Sequence, residues 1–287
     1  MKLRSLLFVP ADSERKLAKS TASAADVLIL DLEDAVAEAR KPMARAMAAE
    51  FISVYAAHAG AKLFVRINPL DTPLAMSDLA AVVLPGLRGI VLPKIRGMAD
   101  VVHLGHALDA LEARAGIASG SVAMLPVATE TPQALLGMCG FSPHARLAGV
   151  TWGAEDLSSA IGALSNKDES GAFDPLYQWA ASLCLTAAAA AGVAPIDTMY
   201  GDFRDAKGLD NACRISRRRG FRGRIAIHPD QVDTINEAYT PSEGELAQAR
   251  RIVDAFAAQP EAGTLAIDGV MVDRPHLTQA LRTIGAL

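Results

Sequence analysis

Short apolar runs recur along the chain, separated by longer stretches that carry apolar residues at helical spacing. Leu3–Val9, Val27–Asp31, Lys62–Ile67, Gly89–Leu92, Val122–Val127, Leu147–Val150, Ala194–Asp197 and Arg224–Ile227 are the runs. Segments this short and apolar suit parallel strands buried on both faces. Helix signals stand between them. Asp12 or Ser13 caps a helix through about Ala22, Pro42–Ala59 is helical by composition with Gly60 as its stop, and another helix starts near Pro73. Asp100–Ala115, Pro132–Cys139, Leu176–Ala191, Asp205–Arg219 and Pro229–Tyr239 complete the set. Thr131 and Pro132 supply an N-cap and a first-turn proline. Strand and helix thus alternate up to Tyr239 at about 30 residues per unit, the period of a (β/α)8 TIM barrel. A doubly wound open sheet is the runner-up. Its first strand-to-helix turn would be FVPADSE, which lacks the glycine-rich phosphate fingerprint.

Two stretches depart from this rhythm. Trp152–Asp174 is rich in Gly, Ser and Asp and reads as a long loop, a kind usually functional or mobile. After Tyr239, Thr240 as N-cap, Pro241 at the first position and Glu243 at the third open a helix that runs to about Ala258. Gly263–Val272 reads as a small hairpin, and Asp273 precedes a last helix, Arg274–Ile284. The expectation is an α/β barrel over 1–239 with a C-terminal helical extension, or arm, over 240–287 that covers the barrel or a neighbouring subunit.

Composition narrows the function classes. Hydrophobic residues are 51% of 287, enough for a sizeable core. Aromatics at 5% and a net charge of −4 argue against base stacking and polyanion binding, so no nucleic-acid partner is expected. Cys139, Cys184 and Cys213 have no metal-ligand spacing and read as buried reduced thiols of a cytoplasmic protein. The N-terminal apolar run is too short for a signal peptide. No stretch approaches the ~20 apolar residues of a membrane span, so no membrane partner is expected.

In such a barrel the reactive groups sit at the C-terminal ends of the strands. Asp31, Glu33, Asp34, Arg66, Lys94, Glu130, Glu155, Asp156, Asp197, Asp202 and His228 collect there. The set is acidic, with two cations, one histidine and no cysteine. Glu130 and Asp156 follow neighbouring strands, which lie about 4.8 Å apart, and the two carboxylates suit one hard cation such as Mg2+. Zinc would call for His or Cys. Plainer roles stand beside these: Glu130 at the positive end of a helix, Asp156 capping a turn, Arg66 and Lys94 in ion pairs with Asp31 or Glu33, Asp273 as an ordinary N-cap. An arginine on an apolar strand needs some anionic partner, protein or ligand. His103 and His106, spaced i, i+3, lack a carboxylate partner motif and read as surface or packing residues. The arginines from Arg214 to Arg224 lie at a helix C-terminus, at the barrel end opposite the site, and read as a solvated or ion-paired face.

RSLLFVPADSERKLAKS, DLEDAV, RINPL, LPKI, ATETPQALL, TWGAEDL, GFRGRIAIHPDQVDTIN and VMVDRPHLTQA occur in this order. Over nearly the whole chain they resemble the citrate lyase beta-subunit-like family, which includes malyl-CoA and citramalyl-CoA lyases within the wider HpcH/HpaI aldolase group. The resemblance implies a Mg2+-dependent barrel that cleaves or forms carbon–carbon bonds of acyl thioesters by Claisen-type chemistry. It implies Glu130 and Asp156 as metal ligands and Arg66 as the group that binds the substrate carboxylate or carbonyl. Asp273 becomes an acid/base residue entering a neighbouring subunit's site. In a mechanism built on these roles, Glu33 and Asp34 are expected to hold the metal's waters or position Arg66. Partners are then an acyl-CoA thioester and a small 2-oxo acid, in a homotrimer or hexamer. At the first strand-to-helix turn this chain has Ala11-Asp12 where the family often carries Gly-Asn.

Three other readings fit the same residues. Lys94 at the end of a strand suits a Schiff-base aldolase. A citrate lyase beta chain works with an acyl carrier protein rather than free CoA. Condensation followed by thioester hydrolysis would give a malate-synthase-like activity.

Overall fold

The computed structural model describes residues 1–55 and 60–285. Eight parallel strands form one sheet: β1 Ser5–Pro10, β2 Val27–Asp31, β3 Lys62–Arg66, β4 Gly89–Leu92, β5 Ala123–Pro126, β6 Gly149–Thr151, β7 Ala194–Asp197 and β8 Gly223–Ala226. Their order is β5-β4-β3-β2-β1-β8-β7-β6. Single bridges at Met124–Leu147 and Val127–Thr151 join β5 to β6 and bring the ends of the sheet together. The TIM-barrel architecture is therefore present, with a seam between β5 and β6. The helices are α1 Glu14–Ser20, α2 Lys41–Tyr55, α3 Leu74–Val82, α4 Met98–Ala115, α5 Pro132–Gly137, α6 Ala154–Ile161, α7 Pro175–Ala191, α8 Ala206–Arg219 and α9 Val232–Ala238. The part of the predicted 42–59 helix beyond Tyr55 lies outside the described residues.

Alternation along each strand divides the core in two. Leu6, Val27, Ile29, Phe64, Val91, Leu125, Ile196 and Ile225 fill the barrel interior. Leu7, Leu28, Leu30, Leu63, Val65, Ile90 and Met124 face the helices. Phe64 is fully buried, worth about 2–3 kcal/mol of transfer free energy. Its ring lies where a Cβ on Gly89 would stand, so β4 must begin with glycine to approach β3 at that level.

Three expectations need correction. The stretch read as a loop from Trp152 contains α6, with Glu155 and Asp156 in its first turn. Carboxylates are favoured there by the helix dipole, and Gly162 at φ 72° ends the helix in the left-handed region that glycine enters without penalty. Cys139 is exposed while Cys184 and Cys213 are buried, because the 3-10 turn Met138–Gly140 turns Met138 inward instead. The helix after Tyr239 is capped by Ser242 rather than Thr240. Ser242 Oγ accepts from Glu245 N, and Glu245 Oε2 accepts from Ser242 N, a reciprocal capping box.

The chain divides into two compact units, Met1–Tyr239 and Thr240–Leu287. In the second, α10 Glu243–Ala258 and α11 Arg274–Thr283 pack together, with an antiparallel hairpin of β9 Thr264–Ile267 and β10 Val270–Asp273. Arg251 on α10 pairs with Asp268 at the hairpin turn at 2.6 Å. Among the described residues no helix is long and apolar enough to cross a membrane.

Candidate active site

Asp31 ends β2 and Arg66 ends β3, and the two are register partners. Their positions in the alternation are those of Ile29 and Phe64, so both side chains face the barrel interior. Arg66 grips Asp31 with two parallel bonds, Nε to Oδ1 at 2.8 Å and Nη2 to Oδ2 at 2.6 Å. Such forked charge-assisted pairs fix orientation as well as energy. The remaining edge of the guanidinium, Nη1, lies 3.0 Å from Glu33 Oε2, and the Phe8 ring supports the group at 4.5 Å.

Glu33 returns to this point because Asp31 organises the turn after β2. Asp31 Oδ1 accepts from Glu33 N at 2.9 Å and Oδ2 from Ala35 N at 3.3 Å. Lys41, buried at the start of α2, donates to the carbonyls of Leu32 and Glu33 and to Asn68 Oδ1. Asn68 in turn donates to Leu32 O and Asp78 Oδ2. The loops after β2 and β3 are thereby tied to each other from behind.

Lys94, two residues past β4, has φ 50°, an uncommon value outside glycine. Its amide donates to Glu130 Oε2 at 2.7 Å. Its Nζ stands 2.5 Å from Glu33 Oε1, 3.0 Å from Asp34 Oδ2 and 3.1 Å from Asp156 Oδ1. Glu33, Asp34, Arg66, Lys94, Glu130 and Asp156 thus form one constellation at the C-terminal end of the barrel.

The electrostatics are strained towards negative charge. Among the described residues, Asp31, Glu33, Asp34, Glu130 and Asp156 face two cations here, Arg66 and Lys94. Burial, then the nearby Asp156, drives the Glu130 carboxyl well above the usual range, against the lowering effect of the Lys94 amide and Arg66. Burial lifts Glu33 to about 7, although Arg66 and Lys94 pull it down. Burial alone would lower Arg66 and Lys94, yet their carboxylate partners hold both above their ordinary values.

These residues fit a divalent cation. Gly153 packs against Glu130: a Cβ there would sit 2.8 Å from Cγ and 3.0 Å from Oε1, so the carboxylate lies in a cradle that a side chain would fill. Thr129 and Thr151 carry buried hydroxyls with no protein hydrogen-bond partner among the described residues. The available donors are oxygens throughout. Among the described residues no three His, Cys, Asp or Glu groups converge in metal-ligand geometry. One or two carboxylates with water are the usual protein share of a Mg2+ site.

Several sequence candidates lie elsewhere. Asp197 is not in the constellation. It sits one position off the interior residue Ile196, buried between strands and helices, where it accepts from Trp152 Nε1 at 2.7 Å and pairs with Arg224. Arg224 is therefore the buried member of the arginine run, while Arg214 pairs with Asp210 in the exposed part. Glu155 is exposed and accepts from Asn166 Nδ2. His228 stacks on Phe203 at 4.5 Å, and Asp202 accepts from the Arg204 amide. His103 and His106 are exposed on α4. Asp273 belongs to the second unit, where it caps α11 in a capping box with His276.

The sequence profile described as HpcH/HpaI aldolase/citrate lyase matches residues 4–229. The chain belongs to this family. Within the HpcH/HpaI aldolase/citrate lyase family, it is 34% identical over 285 residues to a (3S)-malyl-CoA thioesterase of Cereibacter sphaeroides, covering 98% of this chain and 93% of that protein. It is 35% identical over 274 residues to a citrate lyase subunit beta-like protein of Mycobacterium tuberculosis, covering 96% and 92%. A crystal structure of protein CitE from Mycobacterium tuberculosis, in complex with magnesium, acetoacetate and coenzyme A, superposes with a TM-score of 0.77 at 34% identity, covering 98% of each chain.

Proposed function

We propose that the protein is a Mg2+-dependent carbon–carbon lyase. Its substrate is a 3-hydroxyacyl thioester such as citramalyl-CoA or malyl-CoA, and its products are acetyl-CoA and a 2-oxo acid. The observation that carries this reading is the juxtaposition of Arg66, locked on Asp31 and Glu33, with the buried carboxyl of Glu130 and with Asp156. Membership in an aldolase and citrate lyase family supports it, as does a relative crystallised with magnesium, acetoacetate and coenzyme A.

Glu130 and Asp156 would hold the Mg2+. When bound, the ion supplies Lewis-acid polarisation and a template for the 2-oxo acid portion. Glu33, with its carboxyl near 7, takes the proton of the substrate hydroxyl. The carbon–carbon bond then breaks, its electron pair passing to the thioester as an enolate while the former carbinol carbon becomes the carbonyl of the 2-oxo acid. Arg66 stabilises the negative oxygens in the way an oxyanion hole does, and Asp34 and Lys94 balance charge around Glu33. Asp273, delivered from a neighbouring copy in a homotrimer or hexamer, protonates the enolate carbon to give the acetyl group. Its N-cap position, at the end of a hairpin rather than inside a core, leaves it partly exposed for that task.

A second reading is hydrolysis of malyl-CoA to malate and free CoA, favoured by the similarity to the Cereibacter sphaeroides thioesterase. The metal assignment common to both is tested with Glu130→Gln and Asp156→Asn. Calorimetric Mg2+ binding is expected to be lost, and turnover to fall by about a hundredfold or more. Wild-type turnover in either variant would sink the assignment.

A further inference from the structure

Lys94 touches both candidate metal ligands, and by different parts of the residue. Its amide is fixed on Glu130 Oε2 at 2.7 Å by a left-handed backbone. Its ammonium stands among Glu33, Asp34 and Asp156, at 2.5, 3.0 and 3.1 Å. The main chain is thus a fixed support for one ligand, while a flexible four-carbon stem carries a charge to the other. Glu33 and Asp34 lie on the loop after β2, and Asp156 lies across the barrel mouth on α6. The ammonium therefore bridges two sides of the site.

We infer that Lys94 is a built-in counter-cation of the metal site. Its ammonium neutralises Asp156 in the metal-free protein, gives up that carboxylate when a divalent cation binds, and withdraws onto Glu33 and Asp34. The inference rests on the reading of Glu130 and Asp156 as ligands. A divalent cation on Asp156 competes with the ammonium already 3.1 Å from its Oδ1, since like charges a few ångströms apart repel. Glu33 and Asp34 give the ammonium a place to go, because both already lie within ion-pair distance. The arrangement keeps the acidic mouth compensated in both states, and it sets Mg2+ affinity below what the carboxylates alone would give.

The test uses the full chain with Mg2+ alone as the probe. Lys94→Met is expected to bind Mg2+ about tenfold or more tightly than wild type by calorimetry. A second measurement needs no variant. Acetylation of Lys94 in the wild-type protein, followed by mass spectrometry, is expected to be roughly threefold faster with saturating Mg2+ than with EDTA, as the ammonium loses one of its three partners. Equal or weaker Mg2+ binding by folded Lys94→Met, or Lys94 acetylation indifferent to Mg2+ that does bind, would overturn the inference and leave the ligand assignment standing. If wild type and Lys94→Met both fail to bind Mg2+, or Glu130→Gln binds it as well as wild type does, the ligand assignment falls and the inference with it.

Discussion

Glu33 joins the two halves of the constellation, since one oxygen faces Arg66 and the other Lys94. Burial outweighs both cations and holds its carboxyl at about 7, against an ordinary 4.5. A carboxyl raised on folding stabilises the native state while it is protonated. That contribution is complete below about 4.5 and is lost as pH rises through about 7. In EDTA, wild-type unfolding free energy should therefore decline across this window, and Glu33→Gln should flatten the decline by on the order of 2 kcal/mol. Urea unfolding at several pH values measures this; an unchanged slope in the variant would remove Glu33 as its source. The site's acids and Arg66 are legible in the sequence because they close apolar runs, so a strand end places each of them. Lys41 and Asn68 are not. Their bonds are to loop carbonyls, to Asp78 and to each other, 27 residues apart, and no periodicity marks such a tie.

The element most in need of support is the β5–β6 seam, where single bridges replace a continuous ladder. Arg146, just before β6, makes a forked pair with Glu112 near the end of α4, at 2.9 and 2.7 Å, and donates to Val122 O just before β5. Glu112 also accepts from the amides of Gly120 and Val122. Glu130 and Asp156 leave opposite sides of this seam, so the clamp beneath it fixes the spacing between them. Arg146→Met leaves the fully buried Glu112 without its cation and should destabilise the barrel by about 3–5 kcal/mol in denaturant titration. A loss below about 1 kcal/mol would mean that the seam does not depend on the pair. The strands were readable to within a few residues, since buried parallel strands are continuous apolar runs. Helix α6 was not, because its Gly-Ser-Asp surroundings carry the composition of a loop and only Leu157 and a few small residues mark its buried face. The seam was equally hidden: pairing partners are set by tertiary closure, and apolar content is the same with or without a ladder.

At the scale of the whole molecule, the proposed chemistry divides between the two units. In that proposal residues of Met1–Tyr239 would bind and polarise the substrate, and Asp273 of a neighbouring copy would move a proton. Asp273→Asn should leave Mg2+ affinity unchanged and slow turnover by roughly tenfold or more. Equal turnover would leave Asp273 with only its place at the start of α11. The second unit is legible in the sequence through its helix caps and hairpin. Carbon–carbon cleavage is tested most directly by product analysis on malyl-CoA and citramalyl-CoA with Mg2+ and with EDTA. Acetyl-CoA and a 2-oxo acid are expected from at least one of them, with Mg2+ only. Free CoA released together with the intact hydroxy acid, and no 2-oxo acid, would contradict it and establish a thioesterase.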